Sequence, residues 1–124
     1  MIVDTTYVLD LIRGDADAFR KGQELAAADT PLKIPTMTMM ELFVGYGATG
    51  DEEEARRVEN ALLGHPIIDM DQVIARRAGW IGGRTGLDPG DSIIGATAAV
   101  HGEPVLTRNV DDFEQIEGVA VETY

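Results

Sequence analysis

Four acidic residues, far apart in the 124-residue chain, have the type and placement that metal chemistry requires. They are Asp4, Glu41, Asp91 and Asp112. Each stands where an apolar strand or helix pattern begins or ends, and such positions meet in one crevice of an α/β fold. Two carboxylates 4 Å apart repel by about 1 kcal/mol in water and about 4 kcal/mol at an effective dielectric near 20. A divalent cation between them relieves this repulsion, so the pattern predicts metal-dependent phosphoryl chemistry.

Asp4 follows the first predicted strand, Ile2–Val3, and precedes two hydroxyl residues, Thr5 and Thr6. In a parallel sheet, the carboxyl end of this strand faces the ligand crevice. A carboxylate there can bind a metal, and a neighbouring hydroxyl can orient it. The same position also suits the N-terminal cap of the next helix, so the residues alone leave both interpretations open.

Glu41 lies within an apolar helix pattern, where burial of an unpaired charge is costly. Gly45 and Ala48 follow on the same helix face, and we expect these small residues to leave room beside the carboxylate for a metal or substrate. The alternative is an ordinary glutamate that faces solvent.

Asp91 follows a turn at 88–90, and we expect it to begin a helix. Gly95, one turn further along the same face, predicts space beside the carboxylate. The alternative is a helix cap or a favourable partner of the helix dipole.

The segment 107–113 follows the fourth predicted strand, so it lies at the same crevice. Thr107 and Asn109 are candidates to bind metal-bound water or phosphate oxygens. Asp111 and Asp112 are adjacent, so we expect only one of them to point inward. The alternative is a polar turn that leads into a capped short helix.

The elements that must position these residues alternate along the chain. Strands are predicted at 2–3, 32–35, 66–68, 104–107 and 119–122, and helices at 7–12, 15–28, 37–47, 50–63, 71–84, 91–100 and 111–115. In the second helix, Phe19, Leu25 and Ala26 are expected on one apolar side. The alternation predicts one α/β domain over residues 1–124, with a central, mostly parallel sheet of about five short strands flanked by helices.

Composition limits the possible function classes. With 44% hydrophobic residues and no cysteine, the chain is a globular domain without disulfides or thiolate metal sites. It shows no signal peptide pattern and no membrane-spanning run, so we expect a cytoplasmic location.

The net charge of −12 is unlike that of a general nucleic-acid binder. Either the substrate is not nucleic acid, or a metal and a few arginines neutralise phosphates locally. Adaptation to high salt is a third interpretation.

Taken together, the four acidic segments resemble those of PIN-domain ribonucleases, and more narrowly VapC-type toxins of type II toxin–antitoxin systems. The resemblance covers nearly the whole chain and rests on four segments in order, at 2–9, 41–45, 91–98 and 106–119. The first is similar to the family's strand followed by Asp-Thr, and the second to its glutamate-to-glycine helix motif. The third resembles its Asp-x-x-Ile-x-Ala-x-Ala helix, and the fourth its C-terminal signature.

The resemblance implies a role for each acidic position. Asp4 and Asp91 would be the main Mg²⁺ or Mn²⁺ ligands, and Glu41 would complete the set directly or through water. Family members place a fourth acid where Asn109 or Asp112 stands; Asn109 is neutral, so Asp112 is preferred, with Asn109 as a polar helper.

Three polar residues beside these acids, Thr5, Thr107 and Asn109, are expected to contact substrate or orient the ligands. Thr6 departs from the family's usual asparagine or serine but keeps a hydroxyl. Arg13, Arg84 and Arg108 are candidates to hold neighbouring phosphates, although a structural or solvent role is preferred for each.

The implied activity is metal-dependent endoribonuclease hydrolysis of RNA phosphodiester bonds, by the toxin of a toxin–antitoxin pair. The implied partners are RNA, a cognate antitoxin and a second copy of the chain in a homodimer. No membrane association is expected. We expect an apolar groove around Tyr7, Leu11 and Phe19 to receive the antitoxin.

Several alternatives bear on this interpretation. A dehalogenase-type phosphatase would need a second aspartate at position 6, and a receiver domain would need a late lysine; the sequence has neither. A non-toxin PIN nuclease in RNA processing stays open, as does a catalytically inactive module that binds RNA or protein.

Overall fold

A computed structural model describes all residues, 1–124. The chain forms three layers, with one β-sheet between two layers of helices. The strands are β1 (Ile2–Val3), β2 (Ile34–Pro35), β3 (Ile67–Ile68), β4 (Val105–Leu106) and β5 (Val121–Glu122). The helices are α1 (Thr5–Ile12), α2 (Ala16–Ala27), α3 (Thr36–Thr49), α4 (Glu52–Leu62), α5 (Gln72–Thr85), α6 (Pro89–His101) and α7 (Val110–Glu114). None of these helices has the length and apolar character needed to cross a membrane.

All strand pairs are parallel, which confirms the predicted fold class. Hydrogen bonds join β1 to β4, β4 to β5, and β2 to β3. A parallel bridge between Ile2 and Lys33 connects the two sets, with the Val3 amide donating to the Lys33 carbonyl at 3.0 Å. The continuous order is therefore β3-β2-β1-β4-β5, with β1 at the centre.

Successive residues of the central strands enter two separate cores, because side chains of a strand alternate between sheet faces. Val3 and Leu106 pack with α1 to α4, whereas Ile2 and Val105 pack with α5 to α7. All four side chains have no solvent exposure. The two-sided burial explains why β1 and β4 are uniformly apolar.

Phe19 is 62% exposed and Ala26 is also exposed, so Leu25 is the only residue of the predicted apolar side of α2 that is buried. Ala18 and Leu25 form the buried face of α2 instead. The reason is close packing against Tyr7, whose hydroxyl donates to the Ala18 carbonyl at 3.2 Å. A Cβ atom on Gly22 would lie 2.8 Å from the same hydroxyl. Small residues therefore face α1, and the bulky ring one position later turns outward.

This packing also corrects the predicted antitoxin groove. Tyr7 is only 1% exposed and is part of the core, so it cannot line an accessible groove. Leu11 packs against the same core and is half-buried. Of the three residues, Phe19 alone offers a largely exposed side chain.

Helix α6 begins earlier than the sequence pattern indicated. Asp88 is its cap and Pro89 its first residue, so Asp91 lies within the first turn instead of beginning the helix. Proline suits this position, because its missing N–H would have no helical partner there. Gly102 ends the helix in the left-handed conformation, at φ 63°.

Candidate active site

The acidic residues meet at the carboxyl edge of the sheet, beside its central strand. The chain passes from β1 to β2 on one side, whereas β4 lies on the other, so the strand order reverses at β1. Such a switch point opens a crevice above the strand ends. The Asp4 amide donates to the Leu106 carbonyl at 3.0 Å, which holds the ends of β1 and β4 together below this crevice.

Asp4 is 3% exposed and occupies the cap position of α1, but its side chain makes no capping hydrogen bond. Instead, its Oδ2 atom accepts the hydroxyl protons of Thr6, at 2.9 Å, and Thr107, at 2.6 Å. Both bonds fall on the same oxygen. The carboxylate is therefore held away from the helix end, with Oδ1 making no protein hydrogen bond. The capping alternative for Asp4 does not describe this side chain.

Thr107 connects the two walls of the crevice. It is fully buried, and its Oγ1 atom accepts the Asn109 amide proton at 2.8 Å while donating to Asp4. Thr6 in turn accepts the Arg108 amide proton at 3.2 Å. The turn after β4 is thus tied to the start of α1 by two hydroxyl groups.

Glu41 enters the crevice from α3, half-buried. Thr5 donates its hydroxyl proton to the Oε1 atom at 2.8 Å. Burial raises the pKa of Glu41 above its ordinary value; the Thr5 bond opposes this shift, and the Asp4 and Asp88 charges add to it. The side chain is therefore not an ordinary solvent-facing glutamate. Only one of its two carboxylate oxygens has a hydrogen-bond partner in the protein.

Space beside Glu41 comes from Gly90, not from Gly45 as expected. A Cβ atom on Gly90 would lie 2.9 Å from the Glu41 Oε2 atom, whereas one on Gly45 would strike the Glu54 carboxylate. Likewise, a Cβ atom on Gly95 would strike Ile116, so Gly95 allows helix packing and leaves no cavity beside Asp91.

Asp91 has the largest pKa shift among the carboxylates of the crevice. Burial and the charges of Asp88, Asp4, Asp112 and Glu41, in that order, raise its pKa to about 7. A raised pKa means that the ionised form is destabilised, here by lost hydration and by like charges. Around neutral pH, a bound cation would remove much of this cost.

Asn109 links two of the carboxylates. Its Nδ2 group donates to the Asp112 Oδ2 atom at 2.8 Å and lies 3.4 Å from the Asp91 Oδ2 atom. An amide donor between two acids fixes their orientation without adding charge. The arrangement accommodates the predicted pairing of Asp112 as acid and Asn109 as polar helper.

Asp88 borders the crevice, although the sequence pattern does not indicate this. Its Oδ1 atom accepts the Asp91 amide proton at 2.8 Å, and its charge raises the pKa values of both Glu41 and Asp91. The detectable signal was Asp followed by Pro, a common pattern at a helix start. That pattern marks a cap, but nothing in it indicates that the cap borders a crevice.

The crevice carboxylates make no ion pair with lysine or arginine. The chain's ion pairs involve other acids. Arg108, a candidate phosphate ligand, pairs with Asp10 at 3.3 Å and Asp15 at 2.9 Å, and lies 4.5 Å from the Tyr124 ring centroid. It therefore ties the C-terminus to α1 and α2.

The donor set fits a hard divalent cation, because it consists of carboxylate oxygens with amide and hydroxyl support. No three acidic side chains stand close enough together to form a ready-made metal cluster. The fit rests on the uncompensated charge and on the free Oδ1 atom of Asp4.

Comparison with known proteins agrees with this architecture. The sequence model of the PIN domain family matches residues 1–119. No curated protein matches the sequence.

Several solved structures share the fold. A chain of a toxin–antitoxin complex from Klebsiella pneumoniae is 33% identical, with a TM-score of 0.73 over 96% of this chain and 94% of that one. DNA-bound VapBC from Salmonella typhimurium has a chain that is 26% identical, with a TM-score of 0.85 over 98% and 96%. VapBC2 from Rickettsia felis, bound to a promoter DNA fragment, has one that is 19% identical, with a TM-score of 0.86 over 99% and 97%. The chain belongs to the PIN domain family.

Proposed function

We propose that this protein is a metal-dependent endoribonuclease that acts as the toxin of a toxin–antitoxin pair. PIN domains of VapC toxins are nucleases in general, and PIN nucleases generally use divalent metals. The observation that carries the proposal is the Asp4 carboxylate, buried at a helix start yet turned by Thr6 and Thr107 toward an uncompensated acidic crevice.

In this proposal, Asp4, Asp91 and Glu41 hold Mg²⁺ or Mn²⁺, with Asp112 as the fourth acid. The cation would lower the pKa of a bound water and neutralise charge that develops on the phosphate. Thr6 and Thr107 hold Asp4 in its orientation, and Asn109 does the same for Asp112 and Asp91.

The attacking water must also lose a proton. Glu41 is proposed to accept it, because only one of its two carboxylate oxygens is hydrogen-bonded within the protein. Thr5 fixes the Oε1 atom, which leaves Oε2, on the Gly90 side, for this role. Hydrolysis needs no covalent enzyme intermediate.

The nuclease part is tested by cleavage of an end-labelled structured RNA. We expect cleavage by the wild type with Mg²⁺ or Mn²⁺, none with EDTA, and none by Asp4→Asn with either metal. The assay is run at low and at molar salt, because a net charge of −12 makes the approach of RNA salt-dependent. Absence of both cleavage and calorimetric metal binding would refute the enzyme proposal.

The toxin part is tested by controlled expression in cells. Wild-type protein should arrest growth, Asp4→Asn should not, and co-expression of the antitoxin should restore growth. The VapBC relatives are toxin–antitoxin complexes, which supports an antitoxin partner. We also expect a homodimer; a monomeric mass by light scattering at micromolar concentration would contradict that part alone.

A further inference from the structure

Helix α5 carries a basic and aromatic stripe that the proposed catalytic site does not use. Arg77, Trp80 and Arg84 follow one another at intervals of three and four residues, which places them on one helix face. The adjacent face, with Ile74, Ala78 and Ile81, is buried in the core. Trp80 is 58% exposed, and the Arg84 guanidinium lies 4.4 Å from its ring centroid.

Neither of these arginines makes an ion pair, which is true of five of the chain's ten lysine and arginine residues. Most other cations are neutralised: Arg20, Lys21, Lys33, Arg56 and Arg108 all pair with carboxylates. The cations without an ion pair are Arg13, Arg57, Arg76, Arg77 and Arg84, and the last three lie on α5. The free positive charge of an acidic protein is thus concentrated around its single tryptophan.

The stripe borders a cavity of about 730 Å³. Arg77, Trp80 and Arg84 line one side, the segment after α7 from Gln115 to Gly118 lines the other, and Glu117 is the one carboxylate among them. Pockets of this size accommodate compact organic ligands. The cavity therefore offers an aromatic ring and two guanidinium groups against a single acid.

Its position connects it to the acidic crevice. Asn109 and Asp112 stand in the crevice at the start of α7, and Gln115 enters the cavity about one helical turn later. Arg84 is in the last turn of α5, from which the chain returns through Asp88 into α6. An RNA strand that runs from the crevice along α7 would lead toward the stripe.

We infer that the α5 stripe and its cavity bind the single-stranded RNA segment that flanks the cleaved bond. Arg77 and Arg84 would contact phosphates, and a base would stack on Trp80, as in single-strand binders that combine aromatic platforms with basic grooves. The inference rests on the proposed ribonuclease function. It explains how a protein of charge −12 holds RNA whose other phosphates face an acidic crevice.

Because Trp80 is the only tryptophan, its fluorescence reports binding at the stripe. The measurement titrates a single-stranded RNA 12-mer into protein with the Asp4→Asn change, so that binding is read without cleavage. We expect quenching of Trp80. Trp80→Ala should weaken binding, read by anisotropy of labelled RNA, roughly 5- to 150-fold, whereas Trp80→Phe should restore most of it.

The arginines are tested by charge removal. Arg77→Gln with Arg84→Gln should weaken binding and reduce the slope of log K against log salt by about 0.7 per arginine. Arg57→Gln, which removes an equally unpaired charge on α4, is the control and should bind like the parent. All these side chains are exposed, so the variants should keep their fold.

Unchanged RNA binding in the stripe variants would overturn the inference while leaving the nuclease proposal intact. Unchanged RNA binding together with a smaller mass for Trp80→Ala would also overturn it, and would assign the face to contact between two protein chains. If the wild type cleaves no RNA but binds it through Trp80, the stripe inference holds and the catalytic proposal fails.

Discussion

Helices α1 and α5 begin with the same residue type in a similar extended backbone conformation. Asp4 has φ −78° and ψ 156°, and Asp71 has φ −91° and ψ −176°. The Asp71 carboxylate accepts the Ile74 amide proton at 2.9 Å and caps its helix. The Asp4 carboxylate caps nothing, because the Thr6 and Thr107 hydroxyls hold it toward the crevice.

This difference shows how a functional aspartate can be distinguished from a structural one. Asp15, Asp51 and Asp88 also cap their helices through their side chains. Asp4 alone of these helix-start aspartates forgoes a bond that typically contributes about 1 kcal/mol. A side chain that loses such a bond and is buried among like charges has been positioned at a cost to stability.

The largest expected effect comes from replacing each of the compared aspartates by alanine. Asp4→Ala should reduce the RNA cleavage rate by on the order of 10³-fold, because it removes a charge from the reacting centre. Asp71→Ala should leave the rate unchanged and lower the free energy of unfolding by about 1 kcal/mol. Cleavage assays and urea denaturation of both variants check that Asp4→Ala loses activity whereas Asp71→Ala loses stability. Equal losses of cleavage rate in the two variants would contradict the assignment of Asp4 as functional and Asp71 as structural.

The next effect tests why Asp4 turns away. Thr107→Val keeps the side-chain shape but removes the hydroxyl that joins Asp4 to the Asn109 amide. We expect metal affinity or cleavage rate to fall roughly 10- to 100-fold, with about 1 to 3 kcal/mol of stability lost from unsatisfied polar groups.

The control for this change is Thr97→Val. Thr97 is equally buried, but its hydroxyl only bonds back to the Ile93 carbonyl within α6. Its removal should leave metal affinity and cleavage unchanged. A similar activity loss in both variants would show that Thr107 acts through packing alone.

A smaller effect concerns stability and pH. The pKa of Asp91 is about 7 in the folded protein against an ordinary value of 3.8, so folding favours its protonated form. The resulting stability is fully present below about pH 4 and is lost as the pH rises through 7. Asp91→Asn should therefore be more stable than the metal-free wild type at pH 8, by on the order of 1 kcal/mol after allowance for solvent screening.

Thermal unfolding at pH 8 and pH 4 measures this difference, which should amount to a few degrees at the higher pH and vanish at the lower one. Asp111→Asn, on the exposed side of α7, is the control and should change little at either pH. Added Mg²⁺ should stabilise the wild type but not Asp91→Asn. A variant that is less stable at pH 8 would contradict the assigned destabilisation of the Asp91 carboxylate by burial and like charges.

The smallest effect concerns the space beside Glu41. In Gly90→Ala, the new methyl group would meet the Glu41 Oε2 atom at 2.9 Å, and the flexible side chain can move away at little cost in stability. We expect the cleavage rate to fall a few-fold with a nearly unchanged melting temperature. Gly47→Ala, in open space on α3, should raise stability by about 0.5 to 1 kcal/mol and leave the rate unchanged. Full activity of Gly90→Ala would show that Glu41 needs no fixed position.

The sequence by itself determined the elements and the general location of the site. The alternation of strands and helices predicted the parallel α/β fold, because parallel strands need a crossover connection, usually a helix, between them. Acidic residues near strand and helix boundaries predicted the crevice, because parallel strand ends share one edge of the sheet. Both statements depend only on short-range pattern and composition.

The tertiary structure determined side-chain orientations and contacts that a pattern along the sequence cannot show. The orientation of Asp4 depends on Thr107, which lies 103 residues away, and the sequence left cap and ligand equally open. Asp88 looked like a turn residue until α3 and α6 were placed side by side. Gly45 and Gly95 suggested space, but Glu54 and Ile116 occupy it from other elements. Each of these depends on which distant surfaces meet, and periodicity along one element carries no information about that.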